Sequence, residues 1–312
     1  MHCRCSRFAE RTGAIGADFR EDESIDTNDR GKTIAFDIGG TNSRIALIDG
    51  GAIVWRDEAA TPAAGGPQAM VRQMAELFRP LRDLAAPVGV AITGQVEHGC
   101  VTAHNSALLP GWDRYPLHHE LAHALERPVR VVNDARAAAW GEYLFGAGRD
   151  IDEFLFLTVS TGVGAGLVLN KRLHLACNGF DAEIGEMPMA DGTTLEFHAS
   201  GTALGRLAAL HGYAGAKALC DAADAGDSRA EELYVGGIQQ IAHKLADLAV
   251  MLGIQRVALG GGVGLRPGYD ERLRVEMMRY PAIYRYQIAR AELGHDAGLH
   301  GVAALAASGS GA

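Results

Sequence analysis

The chain has little of what would mark it for nucleic acid, a membrane or the extracellular space. Lys and Arg number 29 against 38 Asp and Glu, a formal net charge of −9, whereas a nucleic-acid footprint usually needs a basic domain. No apolar run reaches the ~18 residues of a membrane span. The most apolar helical stretch, Leu245 to Ile254, is short and interrupted by Asp247. No apolar segment follows the N-terminus, so no secretory signal is expected. The 5 cysteines, Cys3, Cys5, Cys100, Cys177 and Cys220, are odd in number and scattered, which favours a reducing cytoplasm over a disulfide framework. Cys3 and Cys5 supply two ligands, too few for zinc. Prolines number only 10 and glycines follow no triplet period, which excludes collagen and Pro-rich low complexity. Two nucleotide signatures are also missing. There is no GxxxxGK followed by Ser or Thr, so no P-loop, and no GxGxxG, so no Rossmann fingerprint.

What the chain has in excess is glycine: 40 of 312 residues, about 13% against the usual ~7%. In a globular chain this points to tight turns and close approach of backbone to a ligand. A hydrophobic share of 48% with 21% charged residues is an ordinary globular balance and excludes a largely disordered protein. The length suits one large domain or two smaller ones.

Residues 1–31 show no period, begin basic and end acidic, and read as a flexible extension. Order is expected from Thr33. TIAFDI reads as a buried strand, Ser43 to Ile48 as a second and Ala52 to Arg56 as a third, a meander start. Met70, Val71, Met74, Leu77 and Phe78 recur at helical spacing. Val88 to Ile92 and Val129 to Val132 read as strands, the latter running through Asn133 and Asp134 into a helix ending at Phe145. The pattern then restarts. FLFLTV from Phe154 is a strand, Ala165 to Leu169 another, Thr194 to Gly253 is mainly helical, and Arg256 to Leu259 is a strand ending in three glycines. A helix from Gly268, a strand near Ile288 and a helix from Ala297 to Ala307 close the chain. A strand, glycine turn and strand thus occur twice, as DIGGTNSRIAL and STGVGAGLVL, which predicts two related α/β halves with a ligand cleft between them.

Both glycine turns lack Cβ atoms where backbone N–H groups would meet an anion. In the first, Gly39, Gly40 and Thr41 follow Asp37; in the second, Thr161 and Gly162 precede Gly164. The same strings also suit plain hairpin turns. Because the chain is acidic, phosphate binding here would rest on N–H groups and a cation rather than on a surface field.

The motifs resemble the ROK family of sugar kinases and repressors, within the actin/hexokinase-like ATPases. DIGGTNSR from Asp37, NSALLPGW from Asn105, NDARAAAWGEY from Asn133, TVSTGVGAG from Thr158, AEIGEM from Ala182 and HDAGLHGVAALA from His295 stand in the family's order. The resemblance spans about Lys32 to Ala307. It implies a two-lobed α/β fold with ribonuclease H-like halves: residues 32–132 with the helix 297–307 as a small lobe, and 133–296 as a large one. AAAWGEY, FLTVSTGVGAG and GGGVGLRPGY look most like the family's bacterial N-acetylmannosamine kinases. ATP-dependent phosphorylation of the 6-hydroxyl of N-acetylmannosamine, in sialic acid catabolism, is therefore implied. So are ATP with Mg²⁺ as cofactors, a cytoplasmic homodimer, and no nucleic-acid or membrane partner.

Carried over residue by residue, the resemblance makes Asp134 the general base toward the sugar hydroxyl, a role its carboxylate can fill by aligning that oxygen and taking its proton late. Capping of the following helix is the alternative use of Asp134, and Asn133 would cap equally well. Asn105 and Asn133 would bind sugar hydroxyls, as would Glu183 and Glu196. Gly39, Gly40, Thr41, Thr161 and Gly162 would hold phosphates, Gly261 and Gly262 would pass close to the adenosine, and Asp37 would hold Mg²⁺ through water.

One departure stands out. Zinc-containing members use the His of GEIGH and a CxCGxxGC cluster; here Glu186 takes the His position, and Met187 to Ser200 contains no cysteine. Structural zinc is therefore not expected. Glu186 follows Glu183 by three, so on a helix the two carboxylates would share a face and either clamp two hydroxyls or face solvent. The alternatives are a kinase of another hexose such as glucose, N-acetylglucosamine or fructose, a pseudokinase, or a sugar-sensing regulator. Family repressors carry an N-terminal winged helix that residues 1–31 do not resemble.

Overall fold

The structure, a computed structural model, describes residues 31–103 and 110–308. All but the last residue of the expected extension 1–31, and the expected sugar ligand Asn105, lie outside the described residues.

The first half opens with strands β1 (Thr33–Ile38), β2 (Asn42–Asp49) and β3 (Ala52–Ala60) as an antiparallel meander. Helix α1 (Gly66–Phe78), strand β4 (Val88–Ile92), the short hairpin β5 (Gln95–Glu97) and β6 (Cys100–Thr102), helix α2 (Leu117–Ala124) and strand β7 (Val129–Asn133) follow. The sheet order is β3-β2-β1-β4-β7, with β1, β4 and β7 parallel. All six residues of β1 and all five of β4 are buried, because both sheet faces are covered. β3, at the edge, alternates in exposure except over the charged run Arg56 to Glu58.

The second half repeats this plan. Helix α3 (Asp134–Phe145) leads to β8 (Phe154–Val159), β9 (Val163–Leu169) and β10 (Arg172–Leu173). Helices α4 (Leu195–Ala199), α5 (Gly201–Leu210), α6 (Ala216–Asp224) and α7 (Ser228–Leu252) come next. Strand β11 (Arg256–Gly260), the short α8 (Gly261–Gly264), α9 (Tyr269–Met277), β12 (Gln287–Arg290) and α10 (Ala297–Ala307) complete the chain. The second sheet runs β10-β9-β8-β11-β12, with β8, β11 and β12 parallel. In both sheets a three-stranded meander is extended by two parallel strands, as the doubled strand–glycine–strand pattern predicts. Helix α7 is capped by Asp227, whose Oδ1 accepts from the N–H groups of Arg229 and Ala230, and is stopped by left-handed Gly253 at φ +65°.

The halves meet through two helices. α3 packs on β8 and β9, α10 packs on β1 and β4, and the two helices pack on each other. They cross backbone to backbone. A Cβ on Gly301 would stand 1.7 Å from the carbonyl oxygen of Ala137, and one on Gly141 would stand 2.2 Å from that of Ala297.

Candidate active site

The first glycine turn is shaped by the register of β1 and β2, which sets Asp37 opposite Arg44. Gly39 N–H donates to Asn42 O at 3.0 Å, and Thr61 Oγ1 donates to Gly39 O at 2.7 Å. Gly40 and Thr41 stand exposed beyond these bonds, with open space where a Gly40 side chain would lie. Asp37 is buried and pairs with the Arg44 guanidinium, whose Nη1 also donates to His295 O at 2.8 Å. The first turn is thereby tied to the segment leading into α10. Burial raises the proton affinity of Asp37 above the ordinary carboxylate range, and Arg44 opposes that rise.

The second turn is closed by Ser160 N–H donating to Gly162 O at 2.9 Å. It rests on the start of α5: Gly201 N–H donates to Ser160 O at 2.7 Å, and Thr202 Oγ1 donates to Thr161 O at 2.8 Å. Thr161 is exposed. Glu196 lies directly behind, its Oε2 accepting from Val163 N–H at 2.9 Å. A Cβ on Gly162 would stand 2.4 Å from that oxygen, so a larger residue there would push the Glu196 carboxylate off its bond to Val163. Gly261, at φ +81°, packs on the same strand. Its Cβ would stand 2.4 Å from Val159 O, while Gly262 is exposed with open space beside it. The second and third glycine segments are therefore neighbours.

Asp134 begins α3. Gly164 and Gly166 of β9 let that helix approach closely, since a Cβ on Gly164 would stand 3.3 Å from the Ala135 Cβ and one on Gly166 2.8 Å from Ala135 O. The capping role falls to Asn133. Its Oδ1 accepts from Ala135 and Arg136 N–H at 3.0 and 3.2 Å, and its Nδ2 donates to Gly94 O at 3.0 Å. Asp134 Oδ1 accepts from Ala135 N–H at 2.8 Å. Enclosure by protein, together with the negative charges of Asp37 and Glu183, pushes Asp134 up to about 6. The structure thus brings Asp37, Asp134 and Glu183 into one electrostatic neighbourhood beside the glycine turns.

Glu183 and Glu186 differ from expectation in their local setting. They bracket a single 3-10 turn, Ile184–Glu186, closed by Glu186 N–H donating to Glu183 O at 3.0 Å. No α-helix forms because left-handed Ala182 precedes the turn and Met187 is followed by Pro188, which disfavours the helical region. Glu186 is half-buried. In the segment after it, His198 Nε2 lies 2.7 Å from Thr193 Oγ1 and 3.0 Å from Asp191 Oδ2. Among the described residues no group of three or more His, Cys, Asp or Glu side chains is placed to hold a metal ion.

Sequence reasoning missed Arg44 and Arg136. The signal for Arg44 is its place opposite Asp37 across a hairpin. For Arg136 it is a cation in the first turn of a helix, the wrong end of the dipole.

The family model described as "ROK family" matches residues 33–308. The chain belongs to the ROK family. The bifunctional enzyme NanE/NanK of Brucella melitensis is 37% identical over 279 residues, covering 88% of this chain and 54% of that protein. The chain thus spans about half the length of that relative. The N-acetylmannosamine kinase of Salmonella typhimurium is 36% identical over 291 residues, covering 88% of this chain and 98% of that one. Among solved structures, the ROK family glucokinase of Streptomyces griseus, in complex with glucose and AMPPNP, is similar with a TM-score of 0.76 and 28% identity, covering 89% of this chain and all of that one. The doubled sheet is accordingly the two-lobed actin/hexokinase-like ATPase fold. No described helix of this ROK protein is long and apolar enough to cross a membrane.

Proposed function

We propose that the protein transfers the γ-phosphoryl group of ATP to the 6-hydroxyl of N-acetylmannosamine, with Asp134 accepting the hydroxyl proton. The observation that carries this reading is Asp134 itself, half-buried at the start of α3 beside the charges of Asp37 and Glu183, with its proton affinity raised to about 6. A carboxylate near that value is ionised at neutral pH yet a far better base than an exposed one. It orients the attacking oxygen, which bonds to the γ-phosphorus as the bond to the ADP oxygen breaks, and the proton passes to the carboxylate. The Salmonella relative's name supports the choice of sugar, and the AMPPNP in the Streptomyces relative supports ATP.

In this reading the residues around Gly40, Thr41, Thr161 and Gly162 receive the phosphates, Gly261 and Gly262 border the adenosine, and Glu183, Glu186, Glu196 and Asn133 face the sugar. Asn133 retains one amide N–H for a sugar hydroxyl beyond its bond to Gly94. The negative charges of Asp37 and Glu183 both act on Asp134, a repulsion that a cation arriving with the nucleotide would lessen. With no three-ligand cluster among the described residues, Mg²⁺ would arrive on the nucleotide, with Asp37 its nearest support. It would neutralise phosphate charge.

We assign residues 32–132 with 297–307 to the small lobe and 133–296 to the large one, and read the protein as a cytoplasmic homodimer. Exposed Val250, Met251, Val275, Met278 and Ile283 on packed neighbouring elements support self-association. A coupled ADP-release assay over a panel of hexoses and N-acetylhexosamines tests the function. N-acetylmannosamine should be the fastest substrate; a rate tenfold higher with glucose would reassign the protein to another hexose.

A further inference from the structure

Arg136 sits two residues beyond Asp134, is 2% exposed, and has no part in the chemistry above. Its place is electrostatically poor, because a cation in the first turn faces the positive end of the helix dipole. A buried guanidinium needs partners, and here they all come from one segment. Nη2 donates to the carbonyls of Gly179 at 2.8 Å and Asp181 at 2.9 Å, and to Glu183 Oε1 at 3.3 Å. Nε stands 2.7 Å from Asp181 Oδ2, an ion pair whose N–H is poorly aligned for a hydrogen bond. Asp181 Oδ1 accepts from Ala176 N–H at 3.0 Å, closing the segment on itself.

Between the two carboxylates that Arg136 touches, Ala182 holds φ +53°. A residue with a Cβ avoids that region and stays there only where its surroundings over-determine it. The far side of the same segment abuts the first half. Gln95 Nε2 donates to Asn178 O at 2.8 Å, and a Cβ on Gly179 would stand 2.1 Å from Val96 O. The segment is pinned at one end by the β5–β6 hairpin and at the other by Arg136.

We infer that Arg136 is a positioning residue for the sugar side of the site: one guanidinium gathers residues 179–183, maintains the kink at Ala182 and so sets Glu183 beside Asp134. The assay of this role rests on the kinase reading above; the structural readout does not.

Arg136→Gln should raise the KM for N-acetylmannosamine at least tenfold while the KM for ATP stays within twofold. Amide hydrogen exchange across residues 176–183 should accelerate at least tenfold, with β8 and β9 unchanged. Because Arg136→Gln also leaves Asp181 buried without its cation, the double variant Arg136→Gln with Asp181→Asn separates the effects. It should recover most of the thermal stability and little of the sugar KM. Arg136→Lys keeps the charge without the fork and should recover the sugar KM only in part. Recovery of the sugar KM together with stability in the double variant would overturn the inference, as would unchanged exchange across 176–183 in Arg136→Gln. Should the wild type phosphorylate no sugar of the panel, the kinase reading falls, and the exchange comparison still decides the role of Arg136.

Discussion

Glu196 Oε2 accepts the N–H of Val163 at 2.9 Å, so a carboxylate expected to serve the sugar also braces the second glycine turn. A charged acceptor on a backbone N–H is worth about 1.5–3 kcal/mol. Glu196→Gln keeps the shape and loses the charge. The Michaelis constants of both ATP and sugar should therefore rise in steady-state kinetics. A rise confined to the sugar would show that this bond does not govern the turn.

In the proposed role, Asp134 must be ionised to take a proton. With its proton affinity raised to about 6, kcat/KM for the sugar should fall roughly tenfold per pH unit below that value. Part of the rise comes from the charge of Asp37, so Asp37→Asn should move the acid limb of the profile to lower pH. An unmoved limb would remove Asp37 from the electrostatics of the base.

Asp134→Asn should lower turnover by several orders of magnitude while sugar binding, followed by calorimetry, persists. It should also stabilise the ligand-free protein at neutral pH. A carboxyl whose folded value lies above its unfolded value of 3.8 favours folding fully below that unfolded value, and the advantage is lost as pH rises through about 6. The variant's gain should therefore be absent below pH ~4 and reach about 2–3 kcal/mol above pH ~7. Denaturant midpoints measured across pH would show it.

Gly301→Ala sets two effects against each other. Alanine favours the helix by about 1 kcal/mol, but its Cβ would stand 1.7 Å from Ala137 O. The opposing atom is backbone, so the crossing helices must separate, at roughly 3 kcal/mol or more. Overlap wins, and the melting temperature should drop by many degrees. Gly262→Ala, facing open space, should leave it nearly unchanged.

The parts of the fold that were legible are those where burial acts on both faces or where a glycine turn repeats. β1, β4 and β8 are runs dominated by apolar residues, broken only by Thr33, Asp37 and Thr158, and their limits follow closely from composition. The β5–β6 hairpin, with three residues per strand and half-buried polar side chains, carries too short a period to read. Helix α2 was hidden for a related reason: its buried positions are only Leu117 and Leu121, among three histidines and a glutamate. In the site, Asp134 was legible from its string, but its neighbourhood was not. The charge of Glu183 reaches Asp134 only because the chain folds back some fifty residues later, and local spacing carries no trace of such a return.

The Gly141–Gly301 crossing has a mechanical corollary. α3 bears Asp134 at one end and meets α10 between Ala137 and Gly141, about 4 to 10 Å further along at 1.5 Å per residue. Because backbone meets backbone at this crossing, neither helix can slide along the other without collision, and residue 134 is held on the seam that joins the two halves.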